Sequence, residues 1–509
     1  AICGPLRPSL LHQCLFVFDT GHFASFPRPI AISSGPLKDS LIGFRSTGAF
    51  PTNALLSSPI TSSSSTMSTT PFPVPNATVP YWRSQLHELD SYQSSETLPA
   101  EQDIVIIGAG YTGTALAHYI LEGLDESSRP SITILEARQA CSGATARNGG
   151  HVRPDLYQGL PGLIRKYGQE AADEMASFEL ANLHAVRDLV REKNIDCDFR
   201  VTTSMAVLRK DEHALPFKKG IDELLQLGSP TAKLVHTVEG KAAETFSGVK
   251  DATTAFAFEA GSIWPYKFVM SLLSQAVNKG AQLHTHTPVT QVSDTQDNGF
   301  WTVTTPRGVV RARTVLFASN AYTSSLLPQY KDRIIPARGI CSHVAVPEGT
   351  HPPHLPSTYS LRHGPGLYDY QVTRPDGSII VGGGRTEFYP KRLDQWYNIW
   401  DDSNLIEPAA TYFDGYMQRN FHGWENSGAK VDKVWTGIMG LPHVGAVPSK
   451  PGQYIAAGFN GHGMAFILLT AKGLAKIVRD GVPFSQSGVP RLFETSEARL
   501  QRDENELLA

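Results

Sequence analysis

No stretch of about 18 consecutive apolar residues occurs in the 509-residue chain, which argues against a transmembrane helix. Cysteine is scarce: the five residues, at 3, 14, 141, 197 and 341, include no Cys-x-x-Cys pair. That pattern encodes neither a zinc cage nor a disulfide framework, and a reducing compartment is the default expectation. A basic excess is also missing, with 45 Lys+Arg against 48 Asp+Glu and a formal charge of −3. Non-specific nucleic-acid binding therefore has no electrostatic basis. What is present is ordinary globular material, 41% hydrophobic and 18% charged, in a chain long enough for roughly three domains.

Residues 1–66 are Ser-rich and acid-poor, without clean periodicity. They read as a non-structural extension, with Met67 as the expected native start; the other reading is a mitochondrial transit peptide. The terminal ENELLA is not a peroxisomal address. A cytoplasmic location is the expectation.

The first chemical signal is DIVIIGAGYTG at 103–113. Four apolar residues, Ile104–Ile107, form a buried-strand run. Gly108, Gly110 and Gly113 follow in Gly-x-Gly-x-x-Gly spacing, and TALAHYILEGL continues as a helix. Gly108 permits the tight turn, Gly110 lets backbone approach a pyrophosphate, and Gly113 lets helix and strand pack closely. The helix N-terminus presents free N–H groups and a positive dipole end to phosphate. A second strand, SITILEA at 131–137, carries Glu136 to the position of a ribose-diol acceptor. The following segment, ARQACSGATARNGGH at 137–151, is rich in small residues and suits a loop that wraps the rest of a dinucleotide. These residues alone leave NAD and FAD both open.

Five blocks extend the pattern: LEARQACSGATARNGGH, EAGSIWPYKFVMSLLSQAVNKGAQLHTHTPVTQV (259–292), GVVRARTVLFASNAY (308–322), GSIIVGGG (377–384) and GQYIAAGFNGHGMAFILLTAKGLAKIV (452–478). In these the chain resembles the glycine/D-amino-acid oxidase (DAO) family of FAD-dependent oxidoreductases, most of all the gamma-glutamylputrescine oxidase-like group with fungal members. The resemblance implies an α+β protein, with a Rossmann-type FAD-binding domain (100–155, 245–333 and 431–482) interleaved with a sheet-based substrate domain (156–244 and 334–430). An N-terminal arm at 67–99 and a C-terminal tail at 483–509 complete the expected layout.

The same resemblance implies FAD contacts from Gly108, Gly110, Tyr111, Thr112, Gly113, Glu136, Ala137, Arg138, Ala144, Thr145, Arg147, Asn148, Gly149 and Gly150. It adds Val289, taken to end a strand, Ala318 and Asn320. A last set is Gly458, Asn460, Gly461, His462, Gly463 and Met464, where three glycines precede a helix that would stabilise negative charge on reduced flavin. Arg338, Tyr370 and His462 are the candidate catalytic residues. Arg153, Tyr368 and Trp264 are the candidate substrate residues; Arg153 is either a carboxylate clamp or a surface ion pair. His151 is a candidate for covalent flavin attachment, although the related group carries glutamine there, and Cys341 reads as a buried strand residue. The implied activity is oxidation of an amine by hydride transfer to flavin N5, with O2 as acceptor. The rivals are an NAD-dependent dehydrogenase, a flavin hydroxylase and a flavin protein without catalysis.

Overall fold

Two sheets divide the strands between them in a computed structural model that describes residues 72–439, 442–459 and 461–502. All of these lie in the compact unit Met67–Ala509. The segment 1–66 and Asn460 fall outside the described residues.

The first sheet is parallel at its centre, in the order Gln282–His284, Ile132–Leu135, Glu101–Ile107, Gly308–Phe317 and Gln453–Ala457, with His443–Ala446 antiparallel at the edge. The apolar run at its heart is continuous because both faces are covered. Ile104 and Ile106 pack with the helices Tyr111–Ile120, Pro265–Asn278 and Gly463–Asp480. Val105 and Ile107 turn the other way, onto Val292, Trp301, Val303 and Val310 of a small antiparallel layer.

The second sheet has nine strands. Its main path runs Lys430–Met439, Ala337–Ala345, Ile379–Gly382, Leu367–Thr373, Thr358–Gly364, Arg200–Leu208, Thr254–Ser262 and His151–Val152, with His236–Glu239 beside Thr254–Ser262. Here side chains alternate between two cores. Ile340, Ile379 and Val381 join an outer cluster with Trp396, Phe413 and Trp424. Cys341, Ile380 and Trp435 face inward with residues of the first sheet's helical layer.

Three expectations change. Thr254–Ser262 pairs over its whole length with Arg200–Leu208, and Lys430–Met439 with Ala337–Ala345, so both strands belong to the second sheet and not to the first. The same holds for His151–Val152, which pairs with Thr254–Ser262. Val289 does not end a strand: the strand closes at His284, and Val289 is a core residue between it and the next strand, Gln291–Val292. Among the described residues, no helix is long and apolar enough to cross a membrane.

Candidate active site

The turn after the central strand is closed by backbone. Gly108 has φ +108°, and a Cβ there would meet the Ala318 carbonyl oxygen at 2.8 Å. A Cβ on Gly113 would lie 1.9 Å from the Gly108 oxygen, so helix and strand touch at this point. Gly110 caps the helix without a side chain, and no side-chain cap bond is made there. The Tyr111 N–H donates to Thr145 Oγ1 at 2.8 Å, which draws the 144–146 turn against the helix start. Thr112 is buried in the first helical turn, and Ala144 opens the 144–146 turn. The Glu136 carboxylate accepts from the Ala109 and Arg138 amides, both at 2.9 Å, and Ala137 lies between two of these groups in the chain. Ala318 donates its N–H to the Ile107 carbonyl at 2.9 Å. Asn320 Oδ1 accepts from Gly458 N at 3.1 Å while its amide nitrogen donates to the Ile438 carbonyl at 3.3 Å. The neighbouring turns are thereby fastened at the ends of the parallel strands, a common ligand position in α/β sheets.

The loop 147–150 is held from several sides. The Trp82 indole N–H donates to the Asn148 carbonyl at 2.6 Å, and the Trp435 indole to the Arg147 carbonyl at 2.9 Å. Asn148 Oδ1 accepts from Gly150 N at 2.7 Å. The Arg147 guanidinium donates to the carbonyls of Ser142, Thr78 and Thr436. Asp402, 1% exposed, lies 2.9 Å from Arg138 and 3.3 Å from Arg147. Burial and Asp402 act oppositely on both arginines. Arg138, with two close oxygens, ends above its ordinary value, whereas burial wins at Arg147 and pushes it down to about 10.

On the inner face of the second sheet, Tyr370 is wedged between Gly149 and Gly382, where an added Cβ would meet its ring at 2.4 and 2.3 Å. Its hydroxyl is 2.9 Å from Cys341 Sγ. Burial raises both groups, the thiol to about 12, so Cys341 is a buried thiol and not a thiolate. His151 Nε2 is 2.7 Å from Thr358 Oγ1, and burial keeps the imidazole well below its ordinary value. His462, which caps the helix Gly463–Asp480, has Nε2 2.7 Å from Glu179 Oε2. Burial opposes charge on His462, but Glu179 outweighs it and leaves the imidazole above its ordinary value. Gly458 and Gly461 take positive φ in the turn before this helix, Gly463 opens it, and the Met464 carbonyl accepts from Asn182. A cleft of about 720 Å³ opens on the pair, lined also by Asp155, Leu163, Phe459 and Phe466.

Two candidates lie elsewhere. Arg338 shares strand parity with Ile340, which packs outward, and its guanidinium donates to the carbonyls of Gln395, Asp401 and Asn404. It anchors an outer loop and does not share the face of Tyr370. Trp264, 3% exposed, packs among Tyr81, Trp82 and Arg374, with its N–H on the Trp82 carbonyl. Its ring faces the N-terminal arm and does not line the cleft.

Among the described residues Arg153 makes no ion pair: Nε donates to Ser204 Oγ at 3.2 Å and the guanidinium lies 4.6 Å from the Phe258 ring centre. Tyr368 is the ring beneath Arg362, 4.4 Å from its guanidinium carbon. Arg362, Glu179, Asp402 and Trp82 were not singled out from the sequence as site residues. None lies in a recognisable motif; each reaches the site through long-range pairing.

The sequence model of the family described as DAO, FAD dependent oxidoreductase, matches residues 103–477. The chain belongs to the DAO family. This DAO-family chain is similar to the gamma-glutamylputrescine oxidoreductase of Escherichia coli (strain K12), 23% identical over 388 residues, which span 74% of this chain and 83% of the relative. In fold it is similar to glycine oxidase from Geobacillus kaustophilus, with TM-score 0.61 and 17% identity over 78% of this chain and 99% of that one. It is also similar to L-proline dehydrogenase from P. horikoshii, with TM-score 0.59 and 20% identity over 78% and 98%. As a DAO-family protein it is an FAD-dependent oxidoreductase with mixed helices and sheets.

Proposed function

We propose that this DAO-family enzyme oxidises a carbon–nitrogen bond of an amine. The residues fit the cofactor: Gly108 and Gly113 leave no room for a Cβ, Gly110 offers no side-chain cap at the helix start, and the Glu136 carboxylate accepts from the Ala109 amide within the turn. Gly108, Gly110 and the first turn from Tyr111 would hold the pyrophosphate, and Glu136 the ribose. Arg147–Gly150 and the turn before Gly463 would border the flavin ring. FAD, when bound, supplies the two-electron acceptor, taking hydride from the amine-bearing carbon and passing the electrons to O2 to give hydrogen peroxide.

In this reading the first sheet and its helices form the cofactor-binding part, and the inner face of the second sheet forms the substrate wall. Tyr370 packs against the loop and holds it in register with that wall. His462, paired with Glu179, stands at the start of the helix Gly463–Asp480, where a protonated imidazole and the helix N-terminus would stabilise negative charge on the cofactor. The imine that leaves hydrolyses to a carbonyl compound and an amine or ammonia.

The observation that carries the reading is the family match across both sheets, joined to the relatives named as amine and amino-acid enzymes. Anaerobic addition of an amine panel to the yellow protein tests it. Bleaching of the flavin band by an amine is expected. Bleaching by alcohols or 2-hydroxy acids, with none by any amine, would overturn it.

A further inference from the structure

His151 leaves the loop Arg147–Gly150 with its backbone fixed on both sides. The Gly150 N–H donates to Asn148 Oδ1, the Gly150 carbonyl accepts from the Ile263 N–H, and His151 itself pairs with Ser262. Its Nε2 is 2.7 Å from Thr358 Oγ1, although the strands Thr254–Ser262 and Arg200–Leu208 lie between the two residues in the sheet. The imidazole therefore lies across a face of the sheet. Register says which face. Thr358 shares strand parity with Ser360, Ser360 pairs with Tyr370, and Tyr370 touches Gly149. Two residues along a strand advance about 7 Å, so the hydroxyl that holds the ring stands one pleat repeat from the pair that meets the loop.

The ring is neutral. Burial opposes a proton on it, and so do the charges of Arg153 and His462. Glu179 offsets His462 in part, and Arg362 lies four residues beyond Thr358 on the same strand. A neutral imidazole has one N–H; with that N–H donated to Thr358, Nδ1 keeps a lone pair. Nδ1 has no hydrogen-bond partner among the described residues and is not sealed off from solvent. Other groups near the loop are engaged. Burial pushes the Cys341 thiol up to about 12 and holds the Tyr370 hydroxyl well above its ordinary value. Glu179 Oε2 pairs with His462 and accepts from the Asp155 amide, and the Asp155 carboxylate accepts from three backbone amides. An ammonium ion bound here would meet the same cations that keep His151 neutral, which favours loss of its proton.

We infer that His151 is the proton acceptor for the substrate: Nδ1 takes a proton from the ammonium nitrogen of the bound amine, and Thr358 holds the ring for that transfer. An N–H bond of the ammonium breaks and an Nδ1–H bond forms. The nitrogen keeps the electron pair, which becomes part of the C=N bond as hydride leaves the adjacent carbon for FAD. Thr358 accepts from Nε2–H in both states of the ring, so the wall need not move when the charge arrives. The inference rests on the amine reading and deepens it.

Proton linkage in the FAD-loaded enzyme tests it. The probe is tert-butylamine, which has no hydrogen on the carbon that bears nitrogen and cannot be oxidised. Its Kd is read from the visible flavin band between about pH 7 and about pH 9, below the amine's own value of about 10. If the ammonium proton stays in the complex on Nδ1, binding neither takes up nor releases protons and Kd is flat. In His151→Gln only the free base is held, so Kd should rise about tenfold for each unit that the pH falls. In the same variant, anaerobic reduction of the flavin by butylamine should slow about 10²-fold at neutral pH and recover as the pH approaches about 10. Should His151→Gln lose FAD, Thr358→Val replaces it: the ring loses its partner, and Kd near pH 7 should rise about threefold or more. A flat Kd in His151→Gln, a tenfold-per-unit Kd in the wild type, or a Kd untouched by Thr358→Val would overturn the inference. So would flavin that stays with acid-precipitated wild-type protein but is released from His151→Gln, which would make the ring a point of covalent attachment. If no amine reduces the flavin, the amine reading fails, and the tert-butylamine titration still decides whether His151 takes a proton from a bound amine.

Discussion

Asp402→Asn isolates one charge that joins the two sheets. The carboxylate is 1% exposed and is shared by Arg138, at 2.9 and 3.1 Å, and Arg147, at 3.3 Å. Asparagine keeps the shape and one acceptor but leaves two buried guanidiniums without an anion. Breaking a buried pair by removing one partner costs about 3–5 kcal/mol. Retained carbonyl bonds, from Arg138 to Val74 and from Arg147 to Ser142, Thr78 and Thr436, hold the effect near the lower end, about 3 kcal/mol. Denaturant unfolding at fixed, saturating FAD measures it, because ligand occupancy itself shifts stability. The double variant Asp402→Asn with Arg138→Met supplies the control. If the cost comes from the stranded cation, the second change should recover part of it, giving a coupling of 1 kcal/mol order. A single variant within about 1 kcal/mol of the wild type, or a double variant showing simple additivity, would refute the reasoning.

Gly113→Ala should yield little soluble protein, since its Cβ would meet backbone at 1.9 Å, whereas Gly110→Val should fold but retain little FAD, its nearest neighbour being the rotatable Thr145 hydroxyl at 3.1 Å; expression yield and the 450 nm band check both. Trp82→Phe removes the donor to the Asn148 carbonyl and should cost about 1 kcal/mol or more in FAD retention, read by gel filtration and visible circular dichroism. His118, neither of whose ring nitrogens has a hydrogen-bond partner among the described residues, is pushed down to about 4 by burial. A histidine lowered in the folded state loses stability as pH falls below about 6.5, so His118→Leu should unfold at lower pH than the wild type in an acid titration. For His462 the sign reverses. Its folded value is raised, so its pairing with Glu179 stabilises fully below about pH 6.5 and fades as pH rises through the raised value. Glu179→Gln should flatten that slope in a melting series across neutral pH.

Contiguous chemistry was legible in the sequence. The Ile104–Ile107 strand, the Gly108–Gly113 turn, the helix and Glu136 occupy one stretch of chain, and local sterics dictate their arrangement. The second sheet was not legible in the same way. Arg153 follows a strand that pairs with Thr254–Ser262, and Arg362 sits on Thr358–Gly364; Arg200–Leu208 joins those two strands, and no local spacing encodes that pairing. Strand parity explains why Arg338 was misread: one residue of register decides which face it takes. Trp264 was read as a pocket residue because its partners, Trp82 and Arg374, lie far away in the chain.

The order of strands also governs how the protein is made. Glu101 and Arg311, neighbours across the central pair of the first sheet, are 210 positions apart in the chain. On the ribosome the glycine turn emerges early, but Gly308–Phe317 follows four of the nine strands of the second sheet, and Gln453–Ala457 follows all nine. The second sheet has all its strands by Met439, before the first receives His443–Ala446 and Gln453–Ala457, and contacts of such long sequence separation form slowly. Until residue 457 has been synthesised, the edge of Gly308–Phe317 that receives Gln453–Ala457 stays unpaired. The nascent chain thus passes through a long interval with an open strand edge, when a chaperone is needed most.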